Sequence, residues 1–147
     1  MERRDDDYRR GRTCVFALRV HLVFVTKYRR GVFDADALRR LRDICADVAA
    51  DFGATLLAAD GEDDHLHLWL EYPATVSIST LVNSLKGVSS RLLRRQRVDL
   101  ARRYWHATLW SPSYFAASCG GAPLAKVRSY VESQRARKQN RRYPSRP

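Results

Sequence analysis

Residues 54–73 (ATLLAADGEDDHLHLWLEYP) constrain the fold of this chain more than any other stretch. The run 54–60 reads as a short strand, 61–64 as a polar turn, and 65–71 as a second strand stopped by Pro73. Two strands joined by so tight a turn pair antiparallel. Successive side chains of a strand point to opposite faces, so His65 and His67 share one face while Leu66 and Leu68 share the other. Two imidazoles at i and i+2 suit one divalent ion. They equally suit a half-buried strand whose polar face happens to carry histidine, and spacing alone leaves both readings open. The turn brings Asp60, Glu62, Asp63 and Asp64 close by, as ligands for a hard cation or as ordinary solvated carboxylates.

The segment 14–26 (CVFALRVHLVFVT) is rich in Val and Phe and predicts one long strand buried on at least one face. It runs into Lys27, Tyr28, Arg29, Arg30 and Gly31, a basic cluster with an aromatic ring inside it. Such a cluster is either a solvated surface or a single-stranded nucleic-acid contact, with charge for phosphates and a ring for a base. Asp34 reads as an N-cap and Gly53 as the residue past a helix end. Between them Leu38, Leu41, Ile44, Cys45, Val48 and Phe52 recur at helical spacing. Ser77 caps a second helix with Ile78, Leu81, Leu85, Val88 and Leu92 as its stripe, ending in the arginine-rich 91–103. Gly87 inside it costs about 1 kcal/mol against alanine and points to a close approach to the backbone. Residues 109–118 read as a last, aromatic strand with an irregular entry at Pro112. Gly120 and Gly121 then turn into a third helix, 123–138, opened by Pro123.

The excess of 27 Lys+Arg over 16 Asp+Glu, a net +11, points to a polyanionic partner, nucleic acid before an anionic membrane surface. No apolar run approaches the roughly 20 residues of a membrane span, and the charged start lacks the apolar core of a secretory signal, so a cytoplasmic protein is expected. Three scattered cysteines support neither a disulfide framework nor a thiolate zinc site. The expected organisation is a disordered arm at 1–13, a single domain at 14–138 and a basic tail at 139–147. The order β, α, β, β, α, β, α implies an α+β fold of ferredoxin-like, RRM-like type: an antiparallel sheet, two helices on one face and an appended C-terminal helix.

Several stretches together resemble the single-tyrosine HUH transposases of the insertion-sequence-200-like, TnpA type. They are 21–30 (HLVFVTKYRR), 64–68 (DHLHL), 77–79 (SIS) with 85–90 (LKGVSS), 110–115 (WSPSYF) and 127–134 (VRSYVESQ), in order and at fitting separations. The resemblance implies that His65 and His67 are metal ligands, that Tyr130 is the nucleophile, and that Gln134, one helical turn later, completes the metal site. It implies a homodimer with active sites shared between subunits, acting on single-stranded DNA with hairpins at the ends of a mobile element. The strands would be cut and rejoined through a 5′-phosphotyrosine. The ligand set suits Mg²⁺ or Mn²⁺. Lys27, Arg29, Arg30, Lys86 and Arg91 would meet phosphates and Tyr28 an unpaired base, with Tyr104 and Trp105 as further stacking candidates. Departures are Ser118 to Ala122 (SCGGA) in place of the usual Thr-Val-Gly, and Trp69 where aliphatic residues are commoner. Neither removes a matched position.

Three alternatives stand beside this reading, and the second is not separable from it by sequence. A non-catalytic single-stranded nucleic-acid binder would carry ribonucleoprotein aromatic signatures on its central strands. A domesticated relative would cut hairpin-bearing repeats by the same chemistry. A hydrolytic metallonuclease would need no tyrosine.

Overall fold

The computed structural model describes residues 9–10, 15–16, 18–103 and 109–119. Along the chain lie β1 (Arg9–Arg10), β2 (Val15–Phe16), β3 (Arg19–Val25), a single 3₁₀ turn (Lys27–Arg29), α1 (Ala35–Asp51), β4 (Thr55–Glu62), β5 (His65–Glu71), α2 (Ile78–Gln96), α3 (Val98–Arg103) and β6 (Phe115–Ser118). The expected single strand over 14–26 is divided: β2 pairs with β1 in a separate two-stranded ribbon, and β3 begins only at Arg19. The ribbon uses Arg9 and Arg10, so the expected disordered arm contains a strand. The tail at 139–147 and the third helix lie outside the described residues.

The main sheet has the order β4-β5-β3-β6, with every neighbouring pair antiparallel. That is the ferredoxin-like arrangement, in which the hairpin β4-β5 sits beside β3 and β6 returns to the far side of β3. β4 extends two residues beyond the expected 54–60, because Gly61 pairs with Leu66 and Glu62 with His65. Gly61 permits this closeness: a Cβ there would lie 2.7 Å from the His65 carbonyl oxygen and 2.8 Å from Leu38.

One face of the sheet carries Val20, Leu22, Phe24, Leu66, Leu68 and Leu70, all buried against residues of α1 and α2. The strict alternation in β5 is what puts three leucines on this face and the histidines on the other. In α1, Asp34 accepts from the Ala37 N–H at 2.8 Å, and Gly53, at φ +70°, leaves the helix in the left-handed region, as its position predicts. In α2, Ser77 caps Thr80 as expected. The buried face, however, is Leu81, Val82, Leu85, Ser89, Ser90 and Leu93, with Val88 and Leu92 only partly covered. The arginine-rich end is a separate helix, since Arg97 leaves helical geometry at φ −123°, ψ 90°. Its guanidinium bonds Asp34, Asp36 and Asp99, which pins the α2-α3 break to the start of α1. Residues 109–114 form no continuous strand. Trp110 bridges Thr26 alone, and β6 begins at Phe115.

Candidate active site

The sheet face away from the helices is where the polar residues of β3, β4 and β5 meet. Cross-strand register sets Val25 opposite His65, Val23 opposite His67, His21 opposite Trp69 and Arg19 opposite Glu71. On the other side of β5, Glu62 stands opposite His65 and Asp60 opposite His67. Residues directly opposite share a face, so both histidines sit between a carboxylate-bearing strand and a central one. The far end of this face is closed by the buried ion pair Arg19–Glu71, 3.1 Å.

Each imidazole of the pair is held at its Nδ1. Asp64 Oδ1 accepts from His65 Nδ1 at 2.6 Å, and His67 Nδ1 lies 2.9 Å from His21 Nε2. An ionised carboxylate can only accept, so the proton of neutral His65 sits on Nδ1 and its buried Nε2 carries the lone pair. The rings of His65 and His67 are 5.0 Å apart, nearly perpendicular. Burial lowers the pKa of His67, partly opposed by the charges of Asp60 and Glu62. Burial, helped by repulsion from His67, pushes His21 down to about 4. His21 and His67 are therefore neutral near pH 7, the form in which imidazole ligates a metal.

This donor set fits a divalent ion. His65 and His67 offer adjacent imidazoles on one face, each with an Nδ1 partner of the kind that fixes ligand orientation at metal centres. Among the described residues no group of three or more His, Cys, Asp or Glu side chains forms a self-sufficient cluster. Two imidazoles alone leave such a site incomplete among these residues. Gln134 and Tyr130 lie outside the described residues, as do Tyr104 and Trp105.

The basic cluster adjoins the histidine strand. The N–H of Thr26 bonds the carbonyl of Asp64 at 2.9 Å, and those of Val32 and Phe33 bond that of Asp63 at 2.8 and 2.9 Å. Tyr28 projects from this staple, 75% exposed, with Lys27 Nζ and Arg30 Cζ 5.5 and 5.4 Å from its ring centre. Tyr28 and Arg29 adopt φ of +64° and +51°, a region that costs residues other than glycine about 1 kcal/mol or more each. The strained turn presents an exposed aromatic ring beside two cations.

Lys86 is placed differently from a simple phosphate contact. Its Nζ donates to the carbonyls of Ser111 at 2.6 Å and Ser113 at 3.3 Å, so it secures the approach to β6. Arg91 is exposed on α2. Among the described residues a Cβ at Gly87 would meet nothing within 4 Å, so none of them makes the close approach expected there. His21 and Asp64 were the residues sequence reasoning undervalued. The signal for His21 was the period of β3, which puts it on the face opposite Val20, Leu22 and Phe24.

Fold and site together define a class: a ferredoxin-like α+β protein that carries a His-hydrophobic-His pair on the open face of its sheet. A family model described as IS200-like transposase matches residues 14–134, and the chain belongs to that family. It is similar to the ISDra2 transposase TnpA of Deinococcus radiodurans, with 32% identity over 87% of this chain and 91% of that protein. It is similar also to the transposase of insertion sequence element IS200 from Salmonella typhimurium, 32% identical over 78% of this chain and 74% of that one. A crystal structure from Deinococcus radiodurans assigned as a transposase superposes with a TM-score of 0.70 at 32% identity, covering 86% of this chain and 97% of the other. A tyrosine transposase bound to a REP hairpin shares the fold at TM-score 0.53 and 14% identity, over 78% of this chain and 62% of that one. In general terms this is a DNA-cleaving enzyme of DNA transposition. No helix among the described residues is long and apolar enough to cross a membrane.

Proposed function

We propose that this chain cuts and rejoins single-stranded DNA at hairpin-bearing ends, with Tyr130 as nucleophile and His65, His67 and Gln134 as ligands of one Mg²⁺ or Mn²⁺. The observation that carries the reading is the His65–His67 pair with both Nδ1 atoms engaged, in a chain of the IS200-like transposase family. A metal bound there would polarise the scissile phosphate and offset the charge that builds on it. A tyrosine hydroxyl is ordinarily protonated at neutral pH, so its proton passes to water or a base as Oη attacks. The Oη–P bond forms, the bond from phosphorus to the 3′ oxygen breaks, and the departing strand ends as a 3′-OH. The 5′-phosphotyrosine retains the phosphodiester energy, so another 3′-OH reverses the step and joins a different strand without ATP.

Unpaired bases suit the Tyr28 platform, with Lys27, Arg29 and Arg30 beside it for phosphates. The hairpin preference is supported by the shared fold of the hairpin-bound tyrosine transposase. A homodimer is supported by β6, an edge strand among the described residues that begins with exposed Phe115 (55%) after exposed Tyr114 (41%), an apolar edge that a second copy can cover.

Incubation with hairpin-bearing single-stranded DNA and Mn²⁺ should yield a protein-DNA adduct that survives denaturation. Tyr130→Phe should abolish the adduct while binding persists, and His65→Ala or His67→Ala should prevent it. Cleavage that survives Tyr130→Phe would overturn the nucleophile assignment.

A further inference from the structure

We infer that His21 is a positioning residue of this site, accepting a hydrogen bond at its Nε2 from the Nδ1–H of His67 and so keeping the His67 Nε2 lone pair available to a metal. The inference rests on the metal reading of His65 and His67 given above.

The contact is 2.9 Å, and the two rings lie at 5.2 Å with planes 15° apart. Between two neutral imidazoles one proton is shared, which allows two arrangements. If His21 donated, His67 would carry its proton on Nε2 and could not ligate through that nitrogen. If His21 accepts, the proton of His67 is fixed on Nδ1 and Nε2 is the ligand atom. A neutral histidine left to itself favours the proton on Nε2, the wrong nitrogen for this purpose, so the site needs an acceptor at Nδ1. His65 has one in Asp64. His21 is its counterpart for His67, and the pair of second partners makes the two ligands equivalent in tautomer.

The acceptor is built to stay in place. His21 is 8% exposed, lies flat on Trp69 at 4.4 Å with planes 2° apart, and meets the edge of Phe115 at 5.8 Å. Its strand position is one alternate residue from Val23, which stands opposite His67, so β3-β5 register alone brings the rings together. This stacking accounts for bulky Trp69 where a smaller aliphatic residue would leave the imidazole loose. A neutral acceptor also adds no negative charge to a face that already holds Asp60 and Glu62 opposite the two ligands.

Two variants of the full chain test this. His21→Phe keeps a ring on Trp69 and removes the acceptor, whereas His21→Gln restores an amide oxygen. Long-range ¹H–¹⁵N NMR of the His67 ring in metal-free protein reads the tautomer, and calorimetric titration with Mn²⁺ alone reads the affinity. The wild type should carry the His67 proton on Nδ1. His21→Phe should move it to Nε2 and weaken Mn²⁺ binding about 10- to 100-fold, and His21→Gln should recover both in part. A His67 proton on Nε2 in the wild type, or an unchanged tautomer in His21→Phe, would overturn the inference. A wild type that binds no Mn²⁺ would overturn the metal reading, while the NMR result would still decide what His21 does to His67.

Discussion

The indole Nε1 of Trp110 donates a 2.9 Å hydrogen bond to Ser89 Oγ, and the next hydroxyl along α2, that of Ser90, accepts from the Leu109 N–H at 2.9 Å. All four groups are buried. Serines on the inner face of a helix are thus explained by what they hold, the segment that leads into β6 along the candidate site. Ser89→Ala would leave a buried indole N–H unsatisfied, at about 1–3 kcal/mol. Thermal unfolding of that variant should begin several degrees lower, at roughly 2–4 °C per kcal/mol for a chain of this size. Adding Trp110→Phe should cost less in the Ser89→Ala background than in the wild type, because the hydrogen bond is already gone. Strict additivity of the two substitutions would contradict this account.

Arg97 gathers Asp34, Asp36 and Asp99. Its hydrogen bonds, followed by the Ala37 N–H, hold the Asp34 carboxyl at about 2, below its ordinary value near 3.8. A carboxyl depressed in the folded state stabilises above its unfolded pKa, and the contribution is lost as pH falls through the folded value. Arg97→Ala should therefore be less stable at pH 7, with no more than about 1 kcal/mol of the loss from Asp34 because that side chain is largely solvent-screened. The gap to wild type should narrow between pH 4 and pH 2. Calorimetry across that range checks it, and a gap independent of pH would argue that Arg97 acts through packing alone.

The elements whose periodicity is local were legible in the sequence. The alternation of β5, the caps at Asp34 and Ser77 and the exit at Gly53 depend on residues a few positions apart, so they read correctly from spacing. The divided strand at 14–26 depends on a nearby partner, Arg9 and Arg10, in a charged stretch without strand periodicity, and the break at Arg97 and the short β6 depend on partners far along the chain: Asp34 and Asp36, and the edge of β3. The site divides in the same way. His65 and His67 are two residues apart, and their shared face follows from the pleat. That His21 reaches His67 follows only from the β3-β5 register, across 46 residues of sequence. Helical spacing puts Val88 and Leu92 on the stripe of α2, yet Ser89 and Ser90 occupy the inner face, where they accept from Trp110 and Leu109.

Tyr28 stands in left-handed backbone geometry, exposed beside two cations. Exposed cation–π contacts are worth about 0.5–1 kcal/mol, whereas stacking on an unpaired base contributes about 1–3 kcal/mol. Tyr28→Ala should weaken binding of single-stranded DNA about 5- to 150-fold, the range that energy implies, with thermal stability unchanged. Tyr28→Phe should bind as the wild type does. Fluorescence anisotropy with a labelled hairpin oligonucleotide distinguishes the variants, and undiminished affinity in Tyr28→Ala would remove the stacking role.

Asp64 offers a clean test of the other ligand. Its carbonyl accepts from the Thr26 N–H, and that backbone bond survives any side-chain change, so Asp64→Ala isolates the carboxylate that holds His65 Nδ1. Without it His65 can rotate, and its proton can move to Nε2. Outer partners of this kind are worth about 10- to 100-fold in metal affinity. Mn²⁺ titration should show a loss of that size in Asp64→Ala and a smaller one in Asp64→Asn, whose amide oxygen can still accept. Adduct formation with hairpin DNA should fall in the same order and recover in part at high Mn²⁺, since the defect is in loading the site. Should the adduct be lost in Asp64→Ala while Mn²⁺ affinity is unchanged, the carboxylate would have to act on the DNA or on the tyrosine instead.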